Sequence, residues 1–213
     1  MHIKLLISCC MLVCAIIRTH AQAYTDPYKG YSEETFMDMD FAPNLATPVV
    51  GEKEKPAVKK AILAAANSLK NKYTIDLVRN DEVFIVNIPT DNLFLPNDTL
   101  LTDKADALLT PLLSPMKDPM AYKIVLAVHT DDTGSETYRE NLSTARLNSV
   151  YDWFMNKIDG GALSEKILII PFAMGGAMPL SPNTSRNNRK ENRRLEVYFI
   201  PGPSIISAAH NSK

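Results

Sequence analysis

The sequence predicts an α+β fold in which a single mixed β-sheet packs against helices, and two kinds of segment in alternation carry that expectation. Five short runs rich in β-branched and aromatic residues, Thr74 to Val78, Val83 to Ile88, Tyr122 to His129, Ile167 to Phe172 and Leu195 to Ile200, have the length and composition of strands. Between and before them lie segments whose apolar residues recur at helical intervals, such as Val58, Ile62, Ala65 and Leu69, or Leu142, Ala145, Val150 and Phe154. The chain shows no internal repeat.

The first 23 residues read as a secretory leader. Lys4 precedes an almost wholly apolar stretch from Leu5 to Ile17, and Ala21-Gln22-Ala23 places small residues where a signal peptidase reads. The apolar stretch is too short for a bilayer span of about 20 residues. Cleavage after Ala23 or after Ala21 satisfies the same rule. All three cysteines, Cys9, Cys10 and Cys14, fall inside the leader, so the mature chain has no thiol for a disulfide, a metal or catalysis. None of them stands where lipidation needs it: the Leu6-Ile7-Ser8-Cys9 match is crude and comes too early, and Val13 before Cys14 is branched. Losing Lys4 and Arg18 with the leader takes the net charge from −1 to −3, which gives no overall pull towards nucleic acid.

Residues 24–72 read as an N-terminal arm followed by a helix. From Tyr24 to Pro56 the chain is rich in Tyr, Asp, Glu and Pro without a steady period, which suggests a tether; a short helix around Ser32 to Met39 is the alternative. Ala57 to Lys70 is made of good helix formers. The runs on either side of Arg79-Asn80-Asp81-Glu82 then form a hairpin, and Pro89, which cannot donate to a ladder, ends its second strand. Asn97-Asp98-Thr99 caps a helix carrying Leu100, Ala105, Leu108, Leu109, Leu112 and Leu113, which Pro111 kinks or breaks. The strand from Tyr122 leads to a helix capped by Ser135 that stops near Gly160-Gly161. Ile167 to Phe172 is a continuous apolar run, as in a strand covered on both faces. Leu195 to Ile200 is the last strand, closed by Pro201-Gly202-Pro203, and residues 202–213 read as a tail.

The chemistry is concentrated in His129-Thr130-Asp131-Asp132-Thr133-Gly134-Ser135, followed by Leu142-Ser143 and Arg146. This spacing sets an acid at the C-terminal end of a strand and a base on the following helix. Together with Arg186 to Arg194, a run ending in Asn192-Arg193-Arg194, it resembles the peptidoglycan-associating domain of the OmpA C-terminal family, whose signature runs H-T-D, two residues, G, then L-S-x-x-R. The resemblance covers about residues 73–201 and implies a β-α-β-α-β-β sandwich. It also implies that Asp131 meets the ammonium and Arg146 the carboxylate of a diaminopimelate end, a pairing suited to one carboxylate and one bidentate guanidinium. Thr130, Leu142 and Ala145 fall on family positions lining the same pocket, and Phe94 matches the aromatic that follows the first core strand. The plainer alternative is that Asp131 and Arg146 simply pair with each other.

Four positions depart from the family pattern: Val128 stands for Gly before H-T-D, Leu95 for an acidic residue, Arg139 for Asn after Tyr138, and Asn188 for Gly before the last strand. Arg139 is expected to add positive charge beside the carboxylate side of the pocket, and Asn188 to take a left-handed turn. The basic run is expected to tie its loop to the sheet through Arg189, Asn192 and Arg193. His129 with Ser143 and Asp131 makes neither a hydrolase triad nor a metal set, since no nucleophile elbow is present and adjacent strand residues face opposite ways. The expectation is a non-enzymatic module without metal or cofactor, exported to the periplasm or outer membrane of a Gram-negative bacterium. Its partner is peptidoglycan, with an envelope protein as a possible further one. The alternative is a periplasmic adaptor of the same fold that binds a protein through residues 24 to 56.

Overall fold

The hairpin foreseen around Asn80 is the outer edge of the sheet. In the computed structural model, which describes residues 24–212, β1 (Thr74–Val78) and β2 (Val83–Pro89) pair antiparallel through a turn. Arg79, Asn80 and Asp81 in that turn all take positive φ, at 53°, 59° and 66°. The leader read at residues 1–23 lies outside the described residues. β3 (Tyr122–His129) and β4 (Leu168–Gly175) pair in parallel, and helix α5 (Glu136–Asp159) supplies the crossover that a parallel pair requires. The last strand, β5 (Arg194–Pro201), inserts between the two pairs and runs antiparallel to both β2 and β3, giving the order β1-β2-β5-β3-β4. This is the single mixed sheet that the sequence predicts.

Strand alternation divides the core in two. One face presents Phe84, Val86, Ile88, Ile124, Leu126, Val128, Leu195, Val197 and Phe199 to helices. These are α3 (Lys55–Leu69), α4 (Ala105–Leu109), α5 and α7 (Pro203–Asn211). Phe84 and Phe199 lie opposite each other across β2 and β5 and stack with ring centroids 4.3 Å apart. The helix expected from Leu100 onward is shorter than read. Asp98 Oδ1 accepts from the amides of Thr99 and Leu100 in a local turn, Leu101 bridges back to Phe94, and Pro111 ends α4 in 3₁₀ turns.

The two ends of the described residues are more ordered than the sequence suggests. The segment read as a tail is α7, with Pro203 at its first position and Ile206 and Ala209 buried in the helical layer with α3. The arm read as a tether contains α1 (Glu33–Met37), capped by Ser32, and α2 (Phe41–Ala46). Together they lay Phe36, Met39, Phe41 and Leu45 over the second sheet face, formed by Val83, Ile85, Val125, Ala127, Ile170, Tyr198 and Ile200. Two short helices joined by a turn have no common period, which is why these apolar residues look unpatterned in the sequence. Buried Lys123 donates to the backbone oxygen (2.6 Å) and to Oδ1 (3.1 Å) of Asn44, and its ammonium lies 4.2 Å over the Phe36 ring. Arg79 donates to the carbonyls of Leu45 and Pro48, and the Tyr28 hydroxyl to that of Pro201.

Candidate functional site

Where β3 ends, the sheet opens. Pairing of β3 with β4 slips by one residue between Val128 and His129, and the Thr130 amide then reaches the Gly175 carbonyl at 2.7 Å. Ser143, fully buried on α5, accepts the Gly175 amide at 3.1 Å, so the Leu-Ser of the motif fastens the helix to the strand end. Asp131 follows, 5% exposed, and its Oδ1 accepts from the Thr133 amide at 2.8 Å. Gly134 adopts a φ of +85°, and a Cβ there would stand 2.6 Å from the Tyr138 ring. Ser135 caps α5 by accepting from the Tyr138 amide.

Arg146 lies three turns into α5, 4% exposed, with its guanidinium 4.9 Å over the Phe94 ring. Its Nε donates to the Asp98 carbonyl at 2.9 Å and its Nη2 to that of Leu95 at 3.3 Å. Burial pulls its pKa down, and among the described residues it has no carboxylate partner. The third wall comes from Arg193, just past α6 (Arg186–Asn192). Arg193 grips Asp91 with two nitrogens, at 2.8 and 2.6 Å, and places Nη1 2.6 Å from Asp131 Oδ2. The hydrogen bond from Arg193 holds the Asp91 carboxyl below the usual carboxylate range. Burial pushes the Asp131 carboxyl up, but bonds from Thr133 and Arg193 outweigh it and leave it below that range. The plainer reading, in which Asp131 and Arg146 neutralise each other, is thereby corrected: the ionic partner of Asp131 is Arg193.

These groups line a cleft of about 340 Å³ whose walls include Asp91, Phe94, Leu95, Asn97, Thr130, Asp131, Tyr138, Leu142, Arg146 and Arg193. Of the residues singled out from the sequence, Asp131, Arg146, Thr130, Leu142 and Phe94 meet here. Ala145 does not line the cleft; it sits half-buried beside Arg146. Leu95, 59% exposed, forms part of the rim. Arg139 does not crowd the pocket, because its Nη1 is used on the Gly134 carbonyl at 2.7 Å and the side chain runs along Gly176. Asn188 lies within α6 and not in a left-handed turn, with its amide donating to the Pro182 carbonyl. Arg189 and Asn192 tie their loop not to the strands but to Asp132 in the turn after β3 and to residues 180–183 of the loop itself. Arg193 does more than that, and it is a cleft residue that sequence reasoning missed together with Asp91 and the Tyr138–Asn97 bridge of 3.0 Å. No local pattern marks Asp91; only the sheet order brings the end of β2 beside the start of β5.

The fold and cleft define an OmpA-like α+β module. The profile of the OmpA family matches residues 93–193. YfiB of Escherichia coli strain K12 is 32% identical over 112 residues, covering 48% of this chain and 67% of YfiB. Outer membrane protein A of Escherichia fergusonii is 32% identical over 121 residues, covering 52% of this chain and 48% of that protein. The chain thus spans about half the length of that relative. It belongs to the OmpA family. Among solved structures, a MotB-like protein from Desulfovibrio vulgaris superposes with a TM-score of 0.58 at 22% identity, over 70% of this chain and 95% of that one. The cell wall anchor of the type VI secretion system (T6SS) from Pseudomonas aeruginosa superposes at 0.51 and 19% identity, over 64% and 96%. Both share the fold.

Proposed function

We propose that this chain is a non-enzymatic cell-wall tether whose cleft binds the zwitterionic diaminopimelate end of a peptidoglycan stem peptide, without a metal or cofactor. The observation that carries this reading is the separation of charge within one cleft. Asp91 and Asp131 share one guanidinium, Arg193, which leaves that pole with a net negative charge suited to an ammonium. Arg146 forms the opposite pole: Nε and Nη2 are held by loop carbonyls, while Nη1 has no partner among the described residues and is available to a carboxylate. A ligand end bearing one charge of each sign complements both poles, and the Phe94 and Leu142 side chains lining the same cleft suit its aliphatic stem. Wall tethering fits the OmpA family, and the leader fits export to the periplasm or the outer membrane. The second reading, an adaptor that recruits a protein with residues 24 to 56, has less of that segment to use, since Phe36, Met39, Phe41 and Leu45 pack on the sheet and leave Tyr31, Met37 and Val49 exposed.

Sedimentation with purified sacculi, with a free stem tripeptide as competitor, tests the proposal. Wild type pellets, the tripeptide releases it, and acetylating the amine of the tripeptide weakens that release. Equal competition by the acetylated form, or binding to glycan strands alone, overturns the assignment.

A further inference from the structure

Behind the cleft, on the second sheet face, lies a buried polar chain that the binding chemistry does not touch. Glu196 on β5, 5% exposed, is its centre. Its Oε2 receives the Tyr198 hydroxyl at 2.7 Å and faces His129 Nε2 at 3.0 Å, while its Oε1 accepts from Arg194 Nε at 2.7 Å. Arg194 also reaches the carbonyls of Asn192 and Met178. Burial pulls the His129 pKa down, and its Nδ1 is buried without a partner. The neutral tautomer with hydrogen on Nε2 is therefore the one that fits, since a second N–H would point at nothing. Burial alone would raise the Glu196 pKa, but His129, Tyr198 and Arg194 outweigh it and hold it at about 2.

The connectivity gives this network its meaning. His129 lies two residues before Asp131 on β3, and Arg194 follows directly after Arg193 on β5. β3 slips register against β4 at this point and pairs on through a bulge, so its end is held less regularly on that side. We infer that Glu196 is a positioning residue for the cleft: by holding His129 and Arg194 on one carboxylate, it fixes Asp131 and Arg193 at the separation that lets them share a hydrogen bond and still receive a ligand ammonium. It touches no ligand itself. The inference deepens the binding proposal and, for affinity, rests on it.

The test compares wild type with Glu196→Gln, His129→Gln and His129→Leu by two measurements. The first is the titration of the Asp131 side-chain carboxyl in the ligand-free protein, followed by carbon NMR. The charged groups around Asp131 are Arg193 after α6, Asp91 after β2, Asp132 and Arg189 at the loop, and Arg146 on α5. Those around Glu196 are His129, Arg194 and Tyr198, with Asp76 on β1 further out. In folded Glu196→Gln the Asp131 carboxyl titrates at higher pH than in wild type, because Arg193 is no longer held against it. His129→Gln, which keeps a donor for Glu196, behaves as wild type, and His129→Leu shifts like Glu196→Gln. The second measurement is calorimetric affinity for a stem tripeptide, which falls about tenfold in Glu196→Gln and His129→Leu and is retained in His129→Gln. An unshifted Asp131 titration in folded Glu196→Gln overturns the inference whatever the ligand does. Failure of wild type to bind the tripeptide, with the titration shift present, overturns the binding proposal and leaves the coupling standing.

Discussion

At the scale of single residues, the two poles of the cleft differ in how far they also build the protein. Asp131 is held by others, so Asp131→Asn should keep the fold, because Arg193 retains its two bonds to Asp91. Losing a charged hydrogen bond to a ligand ammonium should cost about 1.5 to 3 kcal/mol, or about ten- to a hundredfold in affinity, measured by calorimetry with a stem tripeptide. Arg146 is different, since it also carries the loop at Leu95 and Asp98 and packs over Phe94. Arg146→Ala should abolish binding and loosen residues 95–98 as well, seen as faster amide exchange there. The acid response has a defined sign. Asp91 and Asp131 have folded pKa values below the ordinary 3.8, so their contribution is complete above that value and is lost as pH falls through the lower folded values. Binding should therefore persist from neutral pH to below 3.8 and fail only as pH falls through those lower folded values, and a midpoint near pH 6 would contradict the Asp91–Arg193–Asp131 arrangement.

At the scale of elements, the arm is latched by cations that read backbone oxygens at the end of α2. Lys123 is 1% exposed and forms no salt bridge among the described residues; burial, with Arg79 nearby, pulls its pKa down to about 7, while the Asn44 oxygens and the Phe36 ring stabilise the ammonium. Because this folded value lies below the 10.5 of the unfolded chain, folding releases a proton between the two, and stability should rise as pH goes from about 7 towards 10.5. Lys123→Met should remove that rise, and equal unfolding free energies of the wild type at pH 7 and 9, from chemical denaturation, would rule the depressed Lys123 pKa out. The turn between β3 and α5 makes an independent demand. Gly134→Ala must accommodate a Cβ against Tyr138 at positive φ, a cost of about 1 to 3 kcal/mol. It should also displace the ring that reaches Asn97, so both melting temperature and affinity fall.

For the whole molecule, what could be read from the sequence is what local chemistry encodes. The hairpin showed through its polar turn between β-branched runs, β4 through a continuous apolar run, and α5 with Asp131 and Arg146 through a contiguous motif. Asp91 and Arg193 could not be read as partners, because they are 102 positions apart and meet only through the β2–β5 pairing. α7 was obscured by the Pro-Gly-Pro that opens it, where a side chain at Gly202 would run into the Met120 carbonyl. The arm was the largest difference, and it decides how the molecule tolerates truncation. A tether can be removed at no cost to the domain, but this arm covers Val83, Ile85, Val125, Ala127, Ile170, Tyr198 and Ile200. Full burial of one such side chain is worth about 1.5 to 3 kcal/mol, so uncovering even three of them approaches the whole stability margin of about 5 to 15 kcal/mol. A chain starting at residue 55 should therefore melt about 10 °C or more below the full arm-bearing protein, or associate through the bared face, as scanning calorimetry and light scattering would detect. A monomer melting within about 2 °C of the parent would mean that the arm is the tether that its composition suggests.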